Sequence, residues 1–415
     1  MKPRFTFYLI VGLLVFTAFN NLFSNHYQAV VKGNNDFCFD LYQKLREREG
    51  NLFFSPYSIS TALAMTYAGA RGQTEKEMEE VLHFILEKEQ LFHDFSEIQS
   101  KLNALQKQGY IQLKIANSLW FQKGYDLSDE FININRDYFS SELKFVDFVN
   151  HHKKASTVIN SWVAEKTEKK IKNIINPGAL SSLTRMVLCN AIYFKAPWAN
   201  QFLMTATEKA PFYLTSQDSI YVDMMNQTEE FFYKDFGTFA GLELPYTSSG
   251  TSYSFGGDKD PSMIIFLPKD KDGLSQFENN LTSSHITRWI QELRTTEVIV
   301  KIPKFKTTCE FQLATILSEM GMPSAFNPET ANFLGMTGKK ELFINHLIHK
   351  AYVDVNEQGT EAAASTAVIV ELGIEPNQPK PKEFIADHPF VFLIYDNQTG
   401  SILFMGRIVD PTKNK

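Results

Sequence analysis

Two observations predict an α+β fold. Apolar residues recur at helical spacing in the first half of the chain, and short β-rich runs such as Met263-Ile-Ile-Phe-Leu267 and Val298-Ile-Val-Lys-Ile-Pro303 crowd the second. No repeat, low-complexity tract or linker divides the 415 residues, so a single domain is expected. With 21% charged and 44% hydrophobic residues, the composition is that of a soluble globular chain large enough to bury a sizeable core. A net charge of −6 gives no reason to expect nucleic acid or an anionic membrane as partner. The cysteines, Cys38, Cys189 and Cys309, lie far apart and read as buried free thiols, not as a disulfide framework or a zinc site.

Taken in order, residues 1–24 read as a targeting segment. Lys2 and Arg4 precede the apolar run Phe5–Phe19, about the length of a signal-peptide core and short for a membrane span. Phe16 stands where a small residue would mark cleavage, so an uncleaved N-terminal anchor is the alternative; either reading implies export to a secreted or extracytoplasmic location. The first folded helix is expected to begin near Asn34 or Asn35, with Phe37, Leu41 and Leu45 on one face and Gly50 after its end. Ser55 caps a second helix, Pro56 suits its first turn, and the Ala/Leu/Met-rich run to Tyr67 marks it as buried. Thr74 with Glu77 has the spacing of a capping box for a third. Leu113–Phe121 reads as a core strand, Val158 to about Asn173 as an amphipathic helix through Trp162, and Thr184–Lys195 as a strand running into Pro197-Trp198. The chain ends in a hairpin of Phe390–Tyr395 and Ile402–Val409, turning near Asp396–Gly400.

One stretch fits no ordinary element. Read as a strand, residues 360–371 carry Thr360, Ala362, Ala364, Thr366, Val368 and Val370 on one face, with no charge and nothing bulky. Beyond it, Pro376, Pro379 and Pro381 cannot complete a hydrogen-bond ladder. Periodicity alone reads Glu361–Val370 more readily as an Ala-rich helical turn leading into an ordinary strand. The run Gly359-Thr-Glu-Ala-Ala-Ala-Ser-Thr-Ala367 nevertheless resembles the hinge of a serpin reactive-centre loop. The flanks His349–Gln358 and Phe384–Phe392, and the closing Ser401–Pro411, resemble the same family, over nearly the whole chain from about Asn35.

That resemblance implies a serpin fold: a large central sheet plus further sheets, in one domain over residues 30–415, with an exposed loop at about 357–381. It implies a suicide-substrate inhibitor of a serine (sometimes cysteine) protease, held as a covalent acyl complex while the cut loop inserts into the central sheet. It places the hinge at Glu357, Gly359, Thr360, Ala362, Ala363, Ala364 and Ser365, a polar shutter at Ser55, Ser58, Asn190 and His349, and a breach residue at Trp198. Gly359 supplies backbone freedom, and uncharged residues at Thr360, Ala362 and Ala364 spare the sheet a buried charge, which favours inhibition. The usual loop length puts the scissile bond at Gly373-Ile374, with Leu372-Gly373 the rival. With no Lys or Arg between Thr360 and Pro379, the expected target is elastase-, chymotrypsin- or subtilisin-like, not trypsin-like.

Other readings have less to stand on. The chain lacks a Gly-x-Ser-x-Gly elbow, a His-Glu-x-x-His motif, a P-loop and a Gly-x-Gly-x-x-Gly turn. Asp270-Lys-Asp-Gly273 opens like a calcium loop, but Leu281 stands where the bidentate Glu belongs, leaving a surface turn. His151-His152 reads as a solvated loop, and Lys166–Lys172 as a solvated face of mixed charge. Residues 75–89 are too acidic for a heparin-binding helix. No cofactor or metal is expected, and the chain should be a monomer. Asn226, Asn280 and Asn397 head glycosylation sequons, meaningful in a eukaryotic source. The alternatives are a non-inhibitory serpin acting as carrier or chaperone, and a hydrolase whose scattered Ser, His and Asp converge only in the fold.

Overall fold

The computed structural model describes residues 26–107, 109–176, 178–248, 260–360 and 380–414. The fold is α+β. Helices α1 (His26–Leu45), α2 (Pro56–Tyr67), α3 (Gly72–Leu82), α4 (Lys88–Leu105), α5 (Asp129–Phe139) and α6 (Phe148–Lys166) all belong to the first half of the chain. Among the described residues no helix is long and apolar enough to cross a membrane.

Strands β1 (Leu52–Phe54), β2 (Gln112–Gln122), β3 (Glu142–Val146) and β4 (Met186–Pro197) are interspersed with those helices. After them come β5 (Glu208–Tyr213), β6 (Ser219–Asp235), β7 (Phe239–Pro245), β8 (Ser262–Pro268), β9 (Arg294–Pro303), β10 (Phe305–Gln312) and β11 (His346–Asn356). The chain closes with β12 (Gly359–Thr360), β13 (Lys382–Ile385), β14 (Phe390–Asp396) and β15 (Ser401–Ile408). One sheet runs β1-β15-β14-β8-β7-β6-β9-β13, with β5 on β6; the other runs β10-β11-β12-β4-β2-β3.

The core lies between the sheets. Helix α2 packs against β15 of one and β4 and β2 of the other, so every residue from Pro56 to Tyr67 is buried. Ser55 caps it as expected, its hydroxyl accepting from the Ser58 N–H at 3.1 Å. Phe53 stacks on Phe404 at 5.0 Å and on Phe392 at 5.7 Å, joining β1 to the closing hairpin. A second apolar cluster, with Trp120, Val187, Cys189, Tyr193, Ile348 and Tyr352, fills the space between the other face of the six-stranded sheet and α6. All three cysteines are buried and free.

Several local expectations are corrected, some because a polar side chain serves a distant partner instead of its own helix, others because a nearby side chain sets a different end. Helix α1 already runs from His26, burying Val30 and Val31. Asn35 is no cap: it donates to the Gly400 carbonyl (2.8 Å) and accepts from the Ile402 N–H (3.0 Å). Thr74 and Glu77 form no capping box, since α3 starts at Gly72. Thr74 instead takes the Asn332 N–H at 3.0 Å, and Glu77 takes the Ser324 N–H and hydroxyl, each at 2.8 Å. The helix expected over 158–173 is α6, which starts ten residues earlier because Asp147 caps it through the Asn150 N–H (2.9 Å). It stops at Lys166 because Thr167 and Asn160 accept the Ile171, Ile174 and Ile175 N–H groups, folding the chain back. His151, exposed and with φ −136° and ψ 38°, breaks the helix at a kink after its first turn, and His152 follows it. The residues after Lys166 are no helix face, Glu168 and Lys169 having φ of 50° and 63°. Asp270–Gly273 is a turn after β8, as expected.

One ion pair is buried in this frame. Arg407 on β15 meets Glu278 at 3.0 Å and also donates to the carbonyls of Gly50, Arg46 and Arg48, while Tyr42 of α1 donates to Glu278 at 2.5 Å. Glu278→Ala strands the guanidinium in the interior and should cost about 3–5 kcal/mol. Denaturant midpoints of the variant and the parent check this.

Candidate functional site

Two long neighbours at the centre of the six-stranded sheet are parallel, and they part company along their length. β11 and β4 pair directly from His346 opposite Val187 to Tyr352 opposite Tyr193. Beyond that they diverge, and the two-residue β12 fills the mouth between them. Gly359 and Thr360 pair antiparallel with Asn356 and Val355 on one side, and with Pro197 and Ala196 on the other. The chain reaches β12 by reversing at Glu357-Gln358 straight off β11, so the mouth is filled by β11's own continuation.

Each residue of this reversal is held. The Trp198 indole donates to the Asn356 carbonyl at 3.0 Å, its backbone N–H to the Gln358 carbonyl at 3.0 Å, and the Phe202 N–H to the Glu357 carbonyl at 2.9 Å. Trp198 stacks on Tyr246, 4.6 Å between centroids and 8° between planes, and the Tyr246 hydroxyl bonds that of the fully buried Thr360 at 2.7 Å. Glu357 meets Lys304 at 2.9 Å and takes the Thr207 hydroxyl at 2.8 Å. Burial works to raise the Glu357 pKa, but the Lys304 ammonium and the Thr207 hydroxyl outweigh it and hold the carboxyl below its ordinary 4.5. Gly359 has φ +149°, and a Cβ there would strike the Ala196 carbonyl oxygen and lie 2.7 Å from Pro197 Cα and 2.9 Å from Trp198 N. Glycine is required by this close approach as well as by the dihedral.

Below the mouth, on the face toward α2, lies a fully buried polar cluster. Ser55, Ser58, Asn190 and His349 come together there, Asn190 and His349 being register partners across the β4–β11 seam. The Ser55 N–H donates to His349 Nε2 at 3.1 Å, so the ring proton is on Nδ1, which donates to Asn190 Oδ1. The Asn190 amide donates to the Ser58 carbonyl (3.0 Å), the Ser58 hydroxyl (2.5 Å) and Asn117 Oδ1. Burial lowers the His349 pKa from 6.5 to about 3, keeping the imidazole neutral. No member of the cluster carries a charge.

The structure thus brings Glu357, Gly359, Thr360 and Trp198 together at the mouth, and Ser55, Ser58, Asn190 and His349 beneath it. Ala362, Ala363, Ala364 and Ser365, and the bonds Gly373-Ile374 and Leu372-Gly373, lie outside the described residues. Sequence reasoning missed Asn117, whose signal was an Asn inside the apolar run Leu113–Phe121. It also missed Tyr246, Thr207 and Lys304, which carry no local signal because each meets the hairpin only through the fold.

The chain belongs to the serpin family. The family model described as Serpin (serine protease inhibitor) matches residues 32–411. The chain is 38% identical over 395 residues to an uncharacterised serpin-like protein of Thermococcus kodakarensis, covering 95% of this chain and 89% of that protein. It is 39% identical over 383 residues to the leukocyte elastase inhibitor of Xenopus laevis (90% and 97%), and 39% over 389 to that of Bos taurus (91% and 98%). Among solved structures it resembles Serpin48 of the insect Tenebrio molitor, a highly specific serpin, with TM-score 0.80, 32% identity and coverage of 92% and 98%. Uncleaved ovalbumin is similar with TM-score 0.81 at 28% identity, covering 92% of this chain and 100% of that one.

Two outcomes follow from the geometry. Gly359→Ala should displace β12 and lower native stability by about 1–3 kcal/mol, read by thermal unfolding. The unfolded imidazole of His349 protonates below 6.5, whereas the buried one stays neutral to about 3. Unfolding therefore takes up a proton in that window, and native stability falls as pH drops through it, by at most about 1.4 kcal/mol per unit. Urea midpoints of wild type and His349→Asn between pH 7 and pH 4 should show a shallower slope for the variant.

Proposed function

We propose that this serpin is a suicide-substrate inhibitor of serine proteases, trapping the acyl-enzyme by inserting its cleaved loop between β11 and β4. The observation that carries this reading is β12 itself: the segment leading into the loop already occupies the mouth of the seam, antiparallel to both neighbours, with Thr360 buried. A strand begun there can lengthen only by parting the two below it. Residues 30–415 act as one domain in this reading, with the hinge formed by Glu357, Gly359, Thr360 and Ala362–Ser365.

The cluster of Ser55, Ser58, Asn190 and His349 serves as a shutter, and Trp198 as the breach residue that pins the hairpin. Neutral hydrogen bonds suit a place that must separate, because they can be remade to other neutral partners, whereas parting a buried ion pair would leave two bare charges. The physical requirement is that insertion outruns hydrolysis of the acyl-enzyme. A scissile bond at Gly373-Ile374, or at Leu372-Gly373, presents a small or apolar residue to the protease. This supports an elastase-, chymotrypsin- or subtilisin-like target held in a covalent complex, a choice in keeping with the leukocyte elastase inhibitors among the relatives. The basic residues and apolar run at the N-terminus support export, by a cleaved signal or an uncleaved anchor.

Mixing the purified protein with elastase, chymotrypsin, subtilisin and trypsin separately tests the reading. A complex that survives denaturing electrophoresis with one of the first three is expected, and the mass of the released C-terminal peptide identifies the bond. A stable complex with trypsin alone would overturn the assigned specificity, and clean cleavage by all four without a complex would favour a carrier. Thr360→Arg should convert inhibitor to substrate, because a guanidinium beside Tyr246 would be buried without a counter-ion. Inhibition by that variant at the parent's stoichiometry would count against insertion.

A further inference from the structure

We infer that Lys170 sets how readily the central sheet opens, by bridging the β4–β11 seam from the face opposite the polar cluster. Tyr193 of β4 and Tyr352 of β11 are the last register partners of the seam before it splits, with ring centroids 6.1 Å apart. The Lys170 ammonium lies over both rings, 5.9 Å from each centroid. It therefore attracts one aromatic face on each side of the line along which a strand must enter. Burial first, and then the nearby Lys306 ammonium, lower the Lys170 pKa from its ordinary value, in keeping with an ammonium drawn onto the sheet face.

The segment that carries Lys170 is tied to both halves of the sheet. Toward β10 and β11, Lys350 donates to the Asn173 carbonyl at 2.7 Å, and Asn176 donates to Glu310 at 3.1 Å. Toward β2, Glu168 meets Lys114 at 3.4 Å. Ile171, Ile174 and Ile175 are buried against the sheet between these ties. Lys306 also lies over Tyr352, at 5.2 Å, but it stands on β10, which is paired with β11 and would move with it. Lys170 reaches across the seam, whereas Lys306 stays on one side.

This inference rests on the insertion reading above, and the register of β12 says where the bridge fails. Continuing the pairing of Thr360 with Val355 and Ala196 brings Ala363 opposite both Tyr352 and Tyr193. A strand placed there moves the tyrosines apart by another interstrand spacing of about 4.8 Å and sets the Ala363 side chain between them, so one ammonium no longer lies over both ring faces. The bridge stabilises the closed sheet and is absent from the inserted one, so it slows entry at its fourth residue after Gly359. The tie through Glu168 reaches only β2 and those through Asn173 and Asn176 only β10 and β11, so each can stay with its own half and discriminates less.

The test compares wild type, Lys170→Met, which keeps an apolar stem without the charge, and Lys170→Arg, which keeps a cation over the rings. Each is measured intact and after a single cut within residues 372–375, for unfolding temperature and for the rate at which stability rises after the cut. Lys170→Met should insert about three- to tenfold faster, lower the unfolding temperature of the intact form and leave that of the cut form unchanged, and Lys170→Arg should behave as wild type. Insertion by Lys170→Met at the wild-type rate, or an equal loss of stability in both forms, overturns the bridge while leaving the insertion reading intact. A wild type that gains no stability on cutting overturns both.

Discussion

Two parallel strands, paired at one end and parted at the other, are the constraint on which the site is built. Neighbouring parallel strands normally stay paired along their length, because a split exposes N–H and C=O groups with nothing to bond. Here β12 supplies those partners at the mouth, where Gly359 and Thr360 pair with both sides at once. The seam is thus satisfied at both ends by different means, direct pairing below and a borrowed strand above. A sheet arranged this way is committed to a particular place where another strand fits.

What surrounds the seam differs on its two faces. Toward α2 lies a neutral hydrogen-bonded network in which Asn190 and His349 face each other across the join and Ser55 holds the imidazole in one tautomer. Toward α6 the join is covered by tyrosines, isoleucines and a lysine. On the α6 face the ion pairs Lys350–Glu310 and Lys306–Asp354 join β11 to β10 and do not cross the seam, and the buried Arg407–Glu278 pair lies against α1. The Glu357–Lys304 pair stands at the rim and anchors the reversal, not the join itself. Hydrogen bonds between neutral groups have a modest net cost to exchange, and isolated buried charges a large one. The distribution of polarity matches that difference.

Much of the fold was legible from local pattern. The buried helix capped by Ser55, the strands around Leu113–Phe121 and Thr184–Lys195, and the closing hairpin all lie where period and cap residues put them, because each signal acts within a few residues. The failures have two causes. Asn35, Thr74 and Glu77 have the residue types of caps, but each spends its hydrogen bonds on a chain segment hundreds of positions away. Helix α6 ended early because Thr167 and Asn160 offered the backbone a rival set of acceptors.

The sequence by itself determined the α+β class, the small and uncharged character of the stretch after Gly359, and, by resemblance, the positions of Ser55, Ser58, Asn190, His349 and Trp198. Those are properties of residue type and order. Only the tertiary structure decided that Asn117 completes the polar cluster, that Tyr246, Thr207 and Lys304 hold the hairpin, and that Lys170 spans two tyrosines. The same is true of the reason for glycine at 359, which is the Ala196–Trp198 backbone pressed against it. Each of these depends on strands far apart in the chain coming within hydrogen-bonding or ring-contact distance, and no periodicity records which distant segments a sheet will bring side by side.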